Sequence, residues 1–175
     1  MYIYDFIQGL IIGGTLIIAI GPQNLFVIQQ GLKKSYVFTV TLFCSLSDSL
    51  LIVIGIYLSN YIVQINPSII GIIKVLGGIW LIFYGLNKVI KLNQIKDINK
   101  ELNIINEHGK VLISLFLITY ANPHVYLDTI ILLGSLSTNF NDQISFGIGA
   151  IAASFLFFFS LGYMSMFLSK YIYSN

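Results

Sequence analysis

Two aspartates and one histidine are the groups best placed to do chemistry in this chain, because each lies inside a long apolar run. Asp48 sits in Cys44-Ser45-Leu46-Ser47-Asp48, and Asp128 closes Asn122-Pro123-His124-Val125-Tyr126-Leu127-Asp128. A charged side chain at the centre of a bilayer costs about 2.5–3.5 kcal/mol on insertion scales, so two such acids need a reason. One reason is a structural hydrogen bond between helices. The other is a site for a cation or a proton. A carboxyl there is neutral when protonated and attracts a cation when it is not, so it can exchange one for the other. His124 and Asp128 are four residues apart and share a helix face. Together they form either a charge switch near neutral pH or a pair whose imidazole is satisfied by a backbone carbonyl.

The acids stand beside two prolines that interrupt apolar runs, Gly21-Pro22-Gln23-Asn24 and Asn122-Pro123-His124. Proline removes one backbone hydrogen bond and frees the carbonyl four residues earlier, here those of Ile18 and Thr119. In lipid such breaks persist where the freed groups find new partners or line a cavity. Broken helices at matching places in two halves point to a transporter's binding site. Each proline starts a half-helix whose first amides favour an anion such as an amino-acid carboxylate. The freed carbonyls suit an ammonium, and Asp48 or Asp128 a basic side chain. Gln23 and Asn24 form one polar stripe; Thr119, Asn122, Tyr126 and Thr129 form a second beside His124 and Asp128. The expected substrate-binding set is therefore Gln23, Asn24, Asp48, Asn122, His124, Tyr126 and Asp128, with Pro22 and Pro123 breaking the helices.

The elements that carry these residues follow from composition. Of 175 residues, 57% are hydrophobic and 9% charged, with mean hydropathy +0.87; soluble domains carry about 25% charged residues. The chain reads as an all-α, polytopic membrane protein forming a single transmembrane domain over 1–175. A bilayer core asks for about 20 apolar residues per helix, and five stretches qualify: 6–29, 36–58, 68–90, 111–136 and 144–168. The polar segment 91–110 is the one sizeable surface loop. The N-terminal residues carry Asp5 and no positive charge, unlike a cleavable signal. Eight of the nine lysines, all but Lys74, fall on one side of a five-span arrangement. The positive-inside rule then sets the N-terminus outside, with loop 91–110 and the C-terminus in the cytoplasm. A re-entrant first span would change that count.

Several classes drop out. A net charge of +2 is too small for a nucleic-acid face. The lone Cys44 forms no intrachain disulfide and reads as a small buried hydrophobe. No nucleotide fingerprint, phosphate loop or zinc motif is present, so neither cofactor nor metal is expected. An intramembrane aspartyl protease is disfavoured by the lack of Gly-x-Gly-Asp and Tyr-Asp runs, and no enzyme activity is expected. Gly9/Gly13 and Gly149/Ala153 are small residues four apart that let helices approach. The aromatic run Phe155 to Phe159 is expected to face lipid or neighbouring helices.

Aligning Pro22 with Pro123 superposes two units of opposite topology, so the chain reads as an inverted three-helix repeat. Span three has no partner, and the sixth helix is read as missing; a homo-oligomer is one way to complete it.

The runs Gly21-Pro22-Gln23-Asn24-Leu25-Phe26-Val27-Ile28-Gln29-Gln30-Gly31, Cys44 to Asp48, and Asn122 to Thr129 closely resemble the lysine/arginine exporter family (LysE/ArgO type), as does Ile151 to Phe159. The likeness covers essentially the whole chain, in order. The His-Val-Tyr-Leu-Asp ending is similar to the basic amino-acid branch rather than the homoserine/threonine exporters. The resemblance implies a secondary-active inner-membrane carrier that exports L-lysine, L-arginine or close analogues, with Asp48 and Asp128 as its essential acids. The expected partners are thus a small basic amino acid and the lipid bilayer. Competing readings are an exporter of another small solute, such as a neutral amino acid or a metal cation, and a truncated membrane subunit that does not transport.

Overall fold

The protein is described by a computed structural model over residues 2–19, 21–66 and 108–172, together with 68, 71, 72, 75, 76, 79, 82 and 83. These residues are helical, with no strand among them. The helices are α1 (Ile3–Ile17), α2 (Pro22–Leu32), α3 (Val37–Ile65), α4 (His108–Tyr120), α5 (Pro123–Tyr126), a π-helical segment (Leu127–Leu133), α6 (Gly134–Ser137) and α7 (Gln143–Ile172). The expected third span, 68–90, lies largely outside the described residues, as does most of loop 91–110.

Among the described residues two helices, α3 and α7, are long and apolar enough to cross a bilayer unbroken. At 29 residues α3 is about 44 Å long, which exceeds a hydrocarbon core of about 30 Å. Its buried residues Val37, Val40, Thr41, Cys44, Asp48, Leu51, Ile52, Gly55 and Ser59 follow the helical repeat and mark one inward stripe. The first and fourth expected spans are each two helices bent at their proline. The axes turn by 83° between α1 and α2, and by 60° between α4 and the helix that follows Pro123.

Small residues set the packing. Asp142 donates its backbone N–H to Asp5 Oδ2 at 2.8 Å, Gly9 lies on Phe146, and Gly13 lies on Ala150. The constant offset means that α1 and α7 run parallel. Farther along, Gly31 of α2 meets Gly162 and Ser165. The broken first span therefore follows α7 over most of its length. A Cβ on Gly9 would collide with the Phe146 carbonyl oxygen, and one on Gly149 with that of Phe6, so no larger residue fits this contact without a shift of backbone. Gly55 packs on Thr129 and Ile130, while Gly134 packs on Gly55 and Ser59. The second broken span thus runs parallel to α3. Asp48 with Ser154, and Thr41 with Gly162, set α3 antiparallel to α7.

These directions gather Lys33, Lys34, His108, Lys110 and Lys170 at one end of the bundle. There the Tyr36 and His108 rings lie 4.7 Å apart. Asp5, Asn66 and Asp142 lie at the other end. Between the ends the interior holds two apolar clusters. Phe26, Val27, Val40, Cys44, Val111, Leu115 and Phe158 form the one nearer the lysines. Ile52, Leu133, Phe146 and Ala150 form the other.

Candidate functional site

The two breaks face each other across a cavity between these clusters. Gly21 and Asn122 line it from the breaks, and Leu16, Ile17, Ile52, Leu133 and Phe158 contribute apolar wall. Six of the seven residues expected to bind substrate border it: Gln23, Asn24, Asp48, Asn122, His124 and Asp128. The cavity volume is about 50 Å³. That is room for a few waters, each needing about 10–15 Å³, and short of a whole basic amino acid.

Each break is stabilised by side chains rather than by helix. At the first, α1 ends at Ile17, Gly21 takes an extended conformation and Pro22 opens α2. Proline suits that position because the first amide of a helix has no intrahelical partner. The Asn24 amide Nδ2 donates back to the carbonyls of Ile17 (3.1 Å) and Ala19 (3.2 Å), bridging the gap. No side chain caps the N-terminus of α2. At the second break, Asn122 Oδ1 accepts the His124 backbone N–H at 3.1 Å. The seventh expected residue, Tyr126, is turned to the backbone, where its hydroxyl donates to the Tyr120 carbonyl at 2.6 Å. Tyr120 in turn donates its hydroxyl to Ser47 on α3 at 3.1 Å. Thr119 is fully buried, away from the cavity wall, with no partner for its Oγ1 among the described residues.

Asp48 is 4% exposed, and its Oδ2 accepts from Ser154 of α7 at 3.1 Å. Asp128 comes from the π-helical segment, and its Oδ2 lies 3.2 Å from His124 Nε2. Its Oδ1 is buried and has no partner among the described residues. Gln23 Nε2, on the opposite break, is also buried with no oxygen acceptor among the described residues, the side chain reaching only the Cys44 thiol. Unpaired buried donors and acceptors are costly, and a ligand carrying both complements would satisfy this pair. Apolar walls, two acids and no competing lysine in the lining suit a cation with a short polar head. Among the described residues, no three His, Cys, Asp or Glu side chains are grouped to hold a metal ion.

Three features of the site were not anticipated. The π-helical segment Leu127–Leu133 carries Asp128 and Thr129, and π-helices recur at functional sites. Thr129 Oγ1 donates to the Val125 carbonyl at 2.7 Å, competing with backbone bonding at the start of that segment. Ser154 holds Asp48, and the signal for it was a hydroxyl in an otherwise aliphatic and aromatic stretch. Phe158, one turn on from Ser154, packs among neighbouring helices, one of its two expected settings, and also lines the cavity; it is 2% exposed.

The family model described as LysE type translocator matches residues 15–175. The arginine exporter protein ArgO of Klebsiella pneumoniae is 35% identical over 97% of this chain and 81% of its own. ArgO of Escherichia coli K12 is 34% identical over the same shares, 97% and 81%. That of Pectobacterium atrosepticum is 31% identical over 95% and 83%. No solved structure matches the chain. A family match over nearly the whole chain, joined to relatives above 30% identity, shows that the chain belongs to the LysE type translocator family.

Proposed function

We propose that this protein exports basic amino acids, arginine or lysine, across the bacterial cytoplasmic membrane as a secondary-active carrier. The observation that carries the reading is that two membrane-embedded acids, Asp48 and Asp128, border one cavity where both broken spans are interrupted. The arginine-exporter relatives supply the substrate class. In this reading the acids receive the cationic side chain or the coupling proton, and the two apolar clusters above and below the cavity act as alternating barriers. A cavity of about 50 Å³ must widen to admit cargo, so one barrier opens as substrate enters and the other as it leaves.

The single domain is an inverted repeat in this proposal. Its support is reciprocal packing: the first broken span runs parallel to α7, and the second runs parallel to α3. The two broken spans point opposite ways, as units of opposite topology require. The lysines gathered at one end support a cytoplasmic location for that end. Labelling of cysteines introduced at Ser35 and Asn141, one at each end, tests the orientation.

The deciding experiment is efflux of labelled arginine and lysine from proteoliposomes containing the chain, with threonine and a divalent metal as controls. The reading expects export of the basic amino acids alone, abolished in Asp128→Asn. Equal transport of threonine, or of the metal, would replace it with the other-solute reading.

A further inference from the structure

This inference rests on the export reading and assigns the two ends of the substrate. We propose that the N-terminus of α2, together with the Gln23 side chain, holds the substrate's α-carboxylate, while the Asp128 side of the cavity holds its cationic end.

The two breaks are chemically opposite. Helix α2 is 11 residues long and starts at Gly21-Pro22 with no side-chain cap. Its first-turn amides carry the partial positive charge of a helix N-terminus, and Gly21, Gln23 and Asn24 all border the cavity. A second observation points to an anion. Gln23 is 6% exposed and lines the same cavity; its buried Nε2 meets no oxygen acceptor among the described residues, its side chain reaching only the Cys44 thiol, a weak acceptor. Asn24 cannot serve instead, because its Nδ2 is held by the carbonyls of Ile17 and Ala19.

The second break offers no equivalent. Asn122 Oδ1 already occupies the His124 amide, so this helix N-terminus is capped by a side chain. What that side presents is an acceptor, Asp128 Oδ1, buried and without a partner among the described residues, beside the His124 imidazole on the other oxygen. A ligand with a carboxylate at one end and a guanidinium or ammonium at the other satisfies both groups at once. An amine lacking the carboxylate leaves Gln23 Nε2 and the α2 amides unpaired, and a site built to bond a group discriminates against analogues without it.

Gly21 gives the sharpest handle. A Cβ there would meet only the Ala19 carbonyl oxygen, at 4.0 Å, so a side chain fits. Aspartate at this position would cap α2 with its own carboxylate, in the place assigned to the substrate's.

The test is equilibrium competition against labelled arginine by agmatine, which is arginine without its carboxylate, using the full chain in nanodiscs. Agmatine should bind about tenfold or more weakly than arginine, the scale of one lost charge-assisted hydrogen bond. Gln23→Leu should bring that ratio close to one by weakening arginine and not agmatine. Gln23→Glu keeps the side chain's shape and should reverse the preference. Gly21→Asp should lower arginine affinity while raising the melting temperature, which separates loss of the site from loss of the fold. Equal binding of arginine and agmatine to the unmodified chain would overturn the assignment. So would a ratio unchanged in Gln23→Leu and Gly21→Asp. If the unmodified chain binds neither arginine nor lysine, the export reading itself fails.

Discussion

The two broken spans repeat one device with opposite chemistry. The first keeps its helix N-terminus open to the cavity and repairs its loose carbonyls with Asn24. The second seals its N-terminus with Asn122, repairs a carbonyl with Tyr126, and then widens into a π-helical segment that carries Asp128. One side therefore offers donors and the other an acceptor. Their anchoring differs too. Helix α1 lies backbone to backbone on α7 through Gly9, Gly13 and Gly149, whereas the second span is gripped at Gly55 and Gly134, beyond its break. The lesson is that the same proline-induced interruption leaves its helix N-terminus open or capped according to which neighbouring amide, Asn24 or Asn122, is used to mend it.

The largest expected effect comes from the acids. Asp128→Asn removes the charge beside His124 and turns one of two acceptor oxygens into a donor, and Asp48→Asn leaves Ser154 a neutral amide in place of its carboxylate. Each should lower arginine efflux about 100-fold or more, on the scale of breaking a buried charge interaction. If Asp48→Asn is mild while Asp128→Asn is null, the cation end belongs to the second break alone, which sharpens the contrast.

Next come the anchors. Gly9→Ala puts a methyl group onto the Phe146 carbonyl, where nothing soft can yield. It should destabilise the protein by about 2 kcal/mol, within the range for overpacking. Gly109→Ala meets nothing within 4 Å and should be neutral or slightly stabilising. Thermal melts in detergent compare the two, and equal melting points would mean that α1 is not locked on α7.

Smaller still is Tyr126→Phe, which removes the hydroxyl from the Tyr120 carbonyl. The expected loss is about 1 kcal/mol, typical of one hydrogen bond, with arginine affinity changed little because the hydroxyl is turned from the cavity. An affinity loss as large as that of Gln23→Leu would return Tyr126 to the binding set.

The smallest effect is a pH dependence outside the membrane. The Ser145 hydroxyl and backbone N–H both donate to Asp142 and hold its carboxyl below the usual carboxylate value. A depressed value means this capping interaction stabilises the fold above the unfolded carboxylate pKa of about 3.9. It is lost as pH falls through the lower, folded value. The drop in melting temperature on acidification should be shallower in Asp142→Asn than in the unmodified chain.

Much of this site was legible because lipid makes exceptions conspicuous. Pro22, Pro123, Asp48 and Asp128 stand out against apolar runs, and helical spacing was enough to place His124 beside Asp128. Which way a side chain turns was not legible. Tyr126 lies on a helix with the binding residues yet bonds its own backbone, because the break created an acceptor nearby. Asn24 and Asn122 look alike in sequence, but one mends carbonyls and the other caps an amide. The π-helical segment has no signature of its own; it arises where Thr129 competes for the Val125 carbonyl and Gly55 admits the wider backbone. The pairing of α1 with α7 depends on contacts more than 130 residues apart, such as Asp5 with Asp142, which local spacing cannot reveal.

The central claim is that the cargo sits between the two breaks. Val125→Cys, with the native Cys44 replaced by serine, places a reporter thiol on the cavity wall. In membranes, arginine should slow its labelling by a permeant maleimide in a concentration-dependent way, and alanine should not. Labelling unaffected by saturating arginine, in protein that still exports it, would mean that the substrate takes another path.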